Sequence, residues 1–203
     1  MRPTFCALLL LSCSPPERGC ADGGECTTLA TDGGGICKGD GVASPPNLLD
    51  NPGFECGAPS GWFAQNGTLT AETAIVHGGA QAAKLTASAG SAASLWHEAD
   101  AVQNPANRTY CARAWMRGTA ANGRITVRKV ATGGGVDENF SSPLSNTSWT
   151  LVPPASYGPL KVVGSGEERF LLRIWIPSPN AGEVLWVDDV ELWHSANGTC
   201  SER

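Results

Sequence analysis

Tyr110-Cys111-Ala112-Arg113-Ala114-Trp115-Met116-Arg117 decides the fold, because its residues fall into two sets of alternating character. Tyr110, Ala112, Ala114 and Met116 make one set; Cys111, Arg113, Trp115 and Arg117 make the other. A period of two places the sets on opposite faces of a β-strand. Phe170-Leu171-Leu172-Arg173-Ile174-Trp175-Ile176 repeats the pattern, with Phe170, Leu172, Ile174 and Ile176 against Leu171, Arg173 and Trp175. The first set of each strand reads as core. The second combines tryptophan with arginine and is joined by Thr126 and Arg128 under one register of Arg124 to Val130. So many guanidinium groups are not buried together, so this face reads as open.

Working outward, Ala74 to His77, Ala82 to Thr86 and Val184 to Trp193 alternate as well. Asn122-Gly123, Gly133-Gly134-Gly135, Pro153-Pro154, Gly164-Ser165-Gly166 and Pro177-Ser178-Pro179-Asn180 supply the turns. Short period-two runs at this spacing predict an all-β chain folded as an antiparallel sandwich. Residues 86 to 104 are Ala-rich and fit a strand, a loop or a short helix. The 203 residues include Gly 25 and Pro 14, and only 16 % are charged. That balance disfavours long charged helices and coiled coils. Lys+Arg 14 against Asp+Glu 19 gives a net charge of -5 with no basic run. Binding to nucleic acid by phosphate neutralisation is therefore not expected.

The first residues read as an address. Met1 to Ser12 carries one positive charge and a short apolar run, then a small residue before Cys13, as in a secretion signal. Leu10-Leu11-Ser12-Cys13 resembles the lipobox of bacterial lipoproteins, in which the cysteine becomes the lipidated first residue. The other reading is a secretory signal cut a few residues later. Both take the protein out of the cytoplasm, and the lipobox implies a bacterial cell envelope location with a membrane anchor.

Residues 14 to 45 hold almost no apolar side chain and are rich in Gly, Pro and Cys, which describes a spacer. Beyond Cys6 and Cys13, the cysteines are Cys20, Cys26, Cys37, Cys56, Cys111 and Cys200. In an oxidising compartment six thiols most simply form three disulfides. Three lie in the spacer and three in the domain, so with all paired at least one bond joins the two parts. The organisation is a signal peptide at 1–12, a lipidated disulfide-containing tether at 13–45, a β-sandwich at 46–195 and a tail at 196–203.

Asn47-Leu48-Leu49-Asp50-Asn51-Pro52-Gly53-Phe54-Glu55, followed by Gly61-Trp62, resembles the opening of carbohydrate-binding modules in the group of families four, nine and twenty-two. Val76 to Leu85, the strand Tyr110 to Gly118, Trp149-Thr150 and Leu185 to Leu192 follow in the order of that group. The resemblance covers about residues 47 to 193 and implies the galactose-binding-like jelly roll, without fixing the sugar. It also implies a structural calcium held by Glu55 and Asp188, with carbonyls near Gly79 to Gln81. Calcium takes six to eight oxygens, and two buried carboxylates without a cation repel. The alternative is that both carboxylates accept backbone hydrogen bonds and no metal is present.

A pyranose has an apolar C–H face that stacks on indole and a rim of hydroxyls that needs directional partners. Trp115 and Trp175 are the expected stacking residues. Arg113, Arg173, Arg117 and Arg128 are the expected hydroxyl or carboxylate contacts, and they hint at an acidic polysaccharide. Trp62 and Trp96, read as loop residues beside His97 and Glu98, are placed at one end of the groove, although Trp62 and Trp186 also suit a plug in the sandwich. Motifs for nucleophilic, metal-dependent and phosphate chemistry are absent, and His77, His97 and His194 stand in separate segments. Asp137-Glu138, Glu167-Glu168 and Asp188-Asp189 are adjacent in sequence, so on strands their members face opposite ways, unlike a glycosidase pair. The expected function is non-catalytic binding of a polysaccharide or oligosaccharide by a membrane-anchored module. The competing class is a structural jelly roll that docks another envelope protein.

Overall fold

The computed structural model describes residues 45–58, 60–99, 108–131, 134–164 and 169–203. The expected leader, the lipidation site Cys13 and the tether as far as residue 44 lie outside them. The strands are β1 (Phe63–Gln65), β2 (Gly67–Glu72), β3 (Ala82–Ala87), β4 (Ala93–Ala99), β5 (Thr109–Gly118), β6 (Asn122–Ala131), β7 (Gly134–Pro143), β8 (Thr150–Val152), β9 (Leu160–Val163), β10 (Arg169–Ile176) and β11 (Val184–Ser195). Among the described residues there is no helix.

Two antiparallel sheets form a sandwich. One has the order β1-β4-β10-β6-β7; the other has β2-β3-β11-β5-β8, with β9 also on β5. The alternating sets explain the packing: Ala112, Ala114 and Met116 of β5 meet Phe170, Leu172 and Ile174 of β10 in one buried core. Buried side chains of this size stabilise by about 1.5–3 kcal/mol each. Five of the expected strands, at 82–86, 110–116, 124–130, 170–176 and 184–193, are therefore present, each extended by one or more residues.

Ala74 to His77 is a correction: β2 ends at Glu72, and the segment after it is a loop. Its N–H groups serve carboxylates rather than a ladder. The ambiguous region contains β4, and β1, β2, β7, β8 and β9 are strands that the sequence reading did not isolate.

The chain enters along β11. Leu48 N donates to Leu192 O at 2.7 Å, and Asn47 Nδ2 donates to Val190 O at 2.8 Å. In β11, Asp188 pairs with Trp115 and Glu191 with Arg113, so Asp189 and Val190 oppose the single residue Ala114 in a β-bulge. The bulge sets Asp189 at φ 43 and turns it toward the loop that follows β2. Cys111 and Cys200 form a disulfide that ties the tail to β5, with buried Trp193 against it. Cys56 is disulfide-bonded as well, and its partner lies outside the described residues.

Candidate functional site

In an antiparallel sheet, residues in direct register share a face. On the outer face of the five-stranded sheet, one row runs Phe63, Trp96, Arg173, Thr126, Asn139 from β1 to β7. The next row runs Gln65, Ser94, Trp175, Arg124, Ser141. A third runs Glu98, Leu171, Arg128, Asp137. The expectation that Arg173, Trp175, Thr126 and Arg128 share a face is met. Trp96, read as a loop residue, belongs to β4 and stands in the centre of this face.

The planar groups form a column. Phe63 and Trp96 have ring planes 5° apart with centroids at 6.3 Å. The Arg173 guanidinium lies 4.8 Å from the Trp96 centroid and 4.3 Å from that of Trp175. Arg124 follows at 4.8 Å from Trp175. Each such cation–π contact is worth about 0.5–2 kcal/mol, depending on desolvation. The indoles are fixed by their own N–H groups. Trp175 Nε1 donates to Thr126 Oγ1 at 2.9 Å, and Thr126 in turn donates to Asn139 Oδ1 at 2.6 Å. Trp96 Nε1 donates to Ser94 Oγ at 3.1 Å and to Gln65 Oε1 at 3.3 Å.

Charge on this face is unevenly satisfied. Arg128 donates to Asp137 Oδ1 at 2.7 Å in an ion pair. Arg124 and Arg173 have no carboxylate within ion-pair distance among the described residues. The Nε of each is cut off from solvent and has no hydrogen-bond partner. Burial draws Arg173 below the usual guanidinium range, Arg128 adds to the effect, and Asp137 opposes it. A guanidinium remains charged through such a shift. Arg173 is therefore a half-buried cation held between two indoles, with no ion-pair partner among the described residues.

Trp115, Arg113 and Arg117 are a correction, because they do not join Trp175. They stand on β5, on the outer face of the six-stranded sheet, on the far side of the sandwich. Period-two patterning assigns a side chain to a face but not a strand to a sheet. Trp115 is covered by the His77 ring at 4.0 Å and 18°, and His77 is itself held by Asp189 Oδ2 at 2.6 Å from its Nδ1. Arg113 is paired with Glu191, and Arg117 donates to the Asn146 carbonyl at 2.7 Å. Each also lies 5.5 Å from a tryptophan ring, Trp193 and Trp186 respectively. Arg113 and Trp115, half-buried, line a cavity of about 340 Å³ on this second face, together with Asn47, Leu151 and Asp189. Trp62, 3 % exposed, and Trp186, 8 % exposed, are plugs.

Glu55 and Asp188 do converge, as the meeting of terminal strands requires, but on N–H donors. Asp188, wholly buried, accepts from the backbone N–H of His77 at 2.8 Å, Gly78 at 3.1 Å and Asp189 at 2.8 Å. Glu55 Oε1 accepts from Ala80 at 2.9 Å and Gln81 at 3.2 Å. Gly79 between them has φ +62, and a Cβ there would stand 2.0 Å from Glu55 Oε1. Both carboxylates are thus engaged by backbone N–H groups of this loop and of Asp189. Among the described residues no group of three or more metal-ligating side chains forms. This donor set fits calcium poorly; hydrogen bonding satisfies both carboxylates. Burial pushes Asp188 up to about 6, backbone N–H donors oppose the shift, and Asp189 adds to it.

Sequence reasoning missed Phe63, Gln65, Ser94, Arg124 and Asn139. Arg124 was within reach, since it shares parity with Thr126 and Arg128. Nothing local marks the others, whose place is set by pairing with strands distant in sequence.

No family model matches the chain. No curated protein matches it. Solved structures do. A family 61 carbohydrate-binding module in complex with β-1,4-galactotriose is 21% identical, with a TM-score of 0.51 over 73% of this chain and 99% of that one. The CBM22-1 xylan-binding domain of Paenibacillus barcinonensis Xyn10C is 16% identical, with a TM-score of 0.58 over 77% and 96%. A family 16 carbohydrate-binding module is 18% identical, with a TM-score of 0.53 over 72% and 99%. The fold is the jelly roll of carbohydrate-binding modules.

Proposed function

We propose that this domain is a non-catalytic glycan-binding module, and that the sugar lies on the outer face of the five-stranded sheet across Trp96, Arg173 and Trp175. The observation that carries the reading is the stacked column Phe63, Trp96, Arg173, Trp175, Arg124, which crosses the sheet as one half-exposed strip. Indole edges offer apolar contact to ring C–H groups, and guanidinium N–H groups offer directional bonds to hydroxyls. The fold similarity to modules described as holding galactotriose or xylan supports the same class of ligand here. A non-catalytic role is supported by Asp137, a carboxylate on this face, being engaged by Arg128.

The sequence of the leader adds an anchor to this reading: Cys13 carries lipid, and the module is displayed from a membrane. The mass of the mature N-terminal peptide tests that part. Affinity electrophoresis in gels cast with neutral and acidic polysaccharides tests the binding. Retardation by at least one polymer, reduced by Trp96→Ala and by Trp175→Ala, is expected. Free migration in every gel would leave the face to a protein partner.

A further inference from the structure

We infer that the glycan bound by this face is anionic, and that Arg173 and Arg124 read its carboxylate or sulfate groups. The inference rests on the glycan-binding reading and specifies the chemistry of the ligand.

Two features separate this face from one made for neutral sugar. The first is the state of the aromatic surface. A neutral pyranose gains most by laying its C–H face flat on an indole. Here Trp175 has guanidinium groups at 4.3 and 4.8 Å, and Trp96 has Arg173 at 4.8 Å with Phe63 beside it. Much of the ring surface that a sugar would cover is already engaged by arginine. The contact surface offered to a ligand is therefore in large part guanidinium.

The second feature is uncompensated charge. Arg124, Arg128 and Arg173 share the face with Asp137 and Glu98; Asp137 is engaged by Arg128, and neither Arg124 nor Arg173 is in an ion pair with a described residue. Arg173 and Arg124 keep terminal nitrogens that make no bond to described protein groups and are not buried, while their Nε atoms are shut in. Each guanidinium is thus packed on its flat side with its Nε unpartnered, and its terminal nitrogens make no bond to a described protein group. The fork of a guanidinium matches the two oxygens of a carboxylate or a sulfate, which accept two parallel bonds. Desolvation of Arg173 raises the value of an incoming anion, because a charge with little water gains more from a counter-charge than a hydrated one does. The chain as a whole carries -5, so this cationic strip is a local exception on an acidic protein.

Calorimetry on the full chain with defined oligosaccharides tests the inference. The probes are trigalacturonate, its methyl ester, neutral galactotriose and a sulfated galacto-oligosaccharide. The methyl ester keeps the shape of the acid and removes its charge. An acidic probe binding about tenfold or more tighter than the ester and the neutral sugar is expected, from charge-assisted bonds to one or two arginines. Its affinity should fall as salt rises, and Arg173→Gln should abolish most of the preference while the melting transition stays close to wild type. Arg124→Gln, at the end of the column, provides a second variant should Arg173→Gln fail to fold. Preference for trigalacturonate assigns a uronate, and preference for the sulfated probe assigns a sulfate ester. Equal affinity for acid, ester and neutral sugar would overturn the inference and leave the glycan-binding reading intact. Binding of none of the four, nor of any polysaccharide in the gel assay, would overturn both.

Discussion

Arg173 and Trp175 lie two residues apart on β10, on one face, with the guanidinium 4.3 Å from the indole centroid. Each holds the other, since the ring shields one side of the cation and the cation covers the ring. Trp175→Ala removes that wall and the indole bond to Thr126. Affinity for the preferred glycan should fall about tenfold or more, as expected for a central hot spot. Trp175→Phe keeps a ring without the donor and should fall between. Trp62→Ala, by contrast, should cost about 3–5 kcal/mol in urea unfolding with no specific effect on binding by the folded fraction, because Trp62 is core.

Asp188 gives a pH dependence with a defined sign. Its folded value is raised from 3.8 to about 6, so the native state holds the proton to higher pH than the unfolded chain does. Stability from this group is complete below about pH 4 and is lost as pH rises through 6. At about 1.4 kcal/mol per unit, the loss is on the order of 3 kcal/mol. Glu72 and Glu202 are shifted downward and act in the opposite direction, so the difference between wild type and Asp188→Asn isolates the effect. That difference should vary between pH 4 and pH 6 and be flat above pH 7. Urea midpoints across this range would measure it.

Calcium should leave the melting transition unchanged. A ligand bound by the native state alone raises stability in proportion to the logarithm of its concentration. Five backbone N–H bonds already satisfy Glu55 and Asp188, so equal transitions in chelator and in millimolar calcium are expected. A rise with calcium would mean that the loop at residues 77–81 reverses its N–H groups when the ion enters.

Replacing Cys111 and Cys200 by serine should lower stability by about 2–5 kcal/mol, since the bond closes a loop with a sequence separation of 89. The same change should leave glycan affinity within about twofold, because the disulfide lies on the sheet opposite the Trp96 and Trp175 column. Unfolding and gel retardation of the double variant would check both.

Much of this architecture was legible in the strands where core and surface residues alternate strictly. β5, β6, β10 and β11 announce themselves because each must bury every second residue. β7 carries Asp, Glu, Asn and Ser at an edge and has no such signature, and β8 and β9 are too short to show one. Ile75 and Val76 imitate a strand, yet the demand of Asp188 for donors makes that stretch a loop. The site was legible in composition and misread in arrangement. Trp115 and Trp175 have the same parity and the same arginine neighbours, and only the order of strands in each sheet reveals that they look in opposite directions.

Leu48 runs hydrogen-bonded to Leu192, so the polypeptide joins the sandwich on the six-stranded layer. A tether of the kind proposed above would therefore attach on the layer opposite the Trp96 and Trp175 column, leaving that column clear of its own point of attachment.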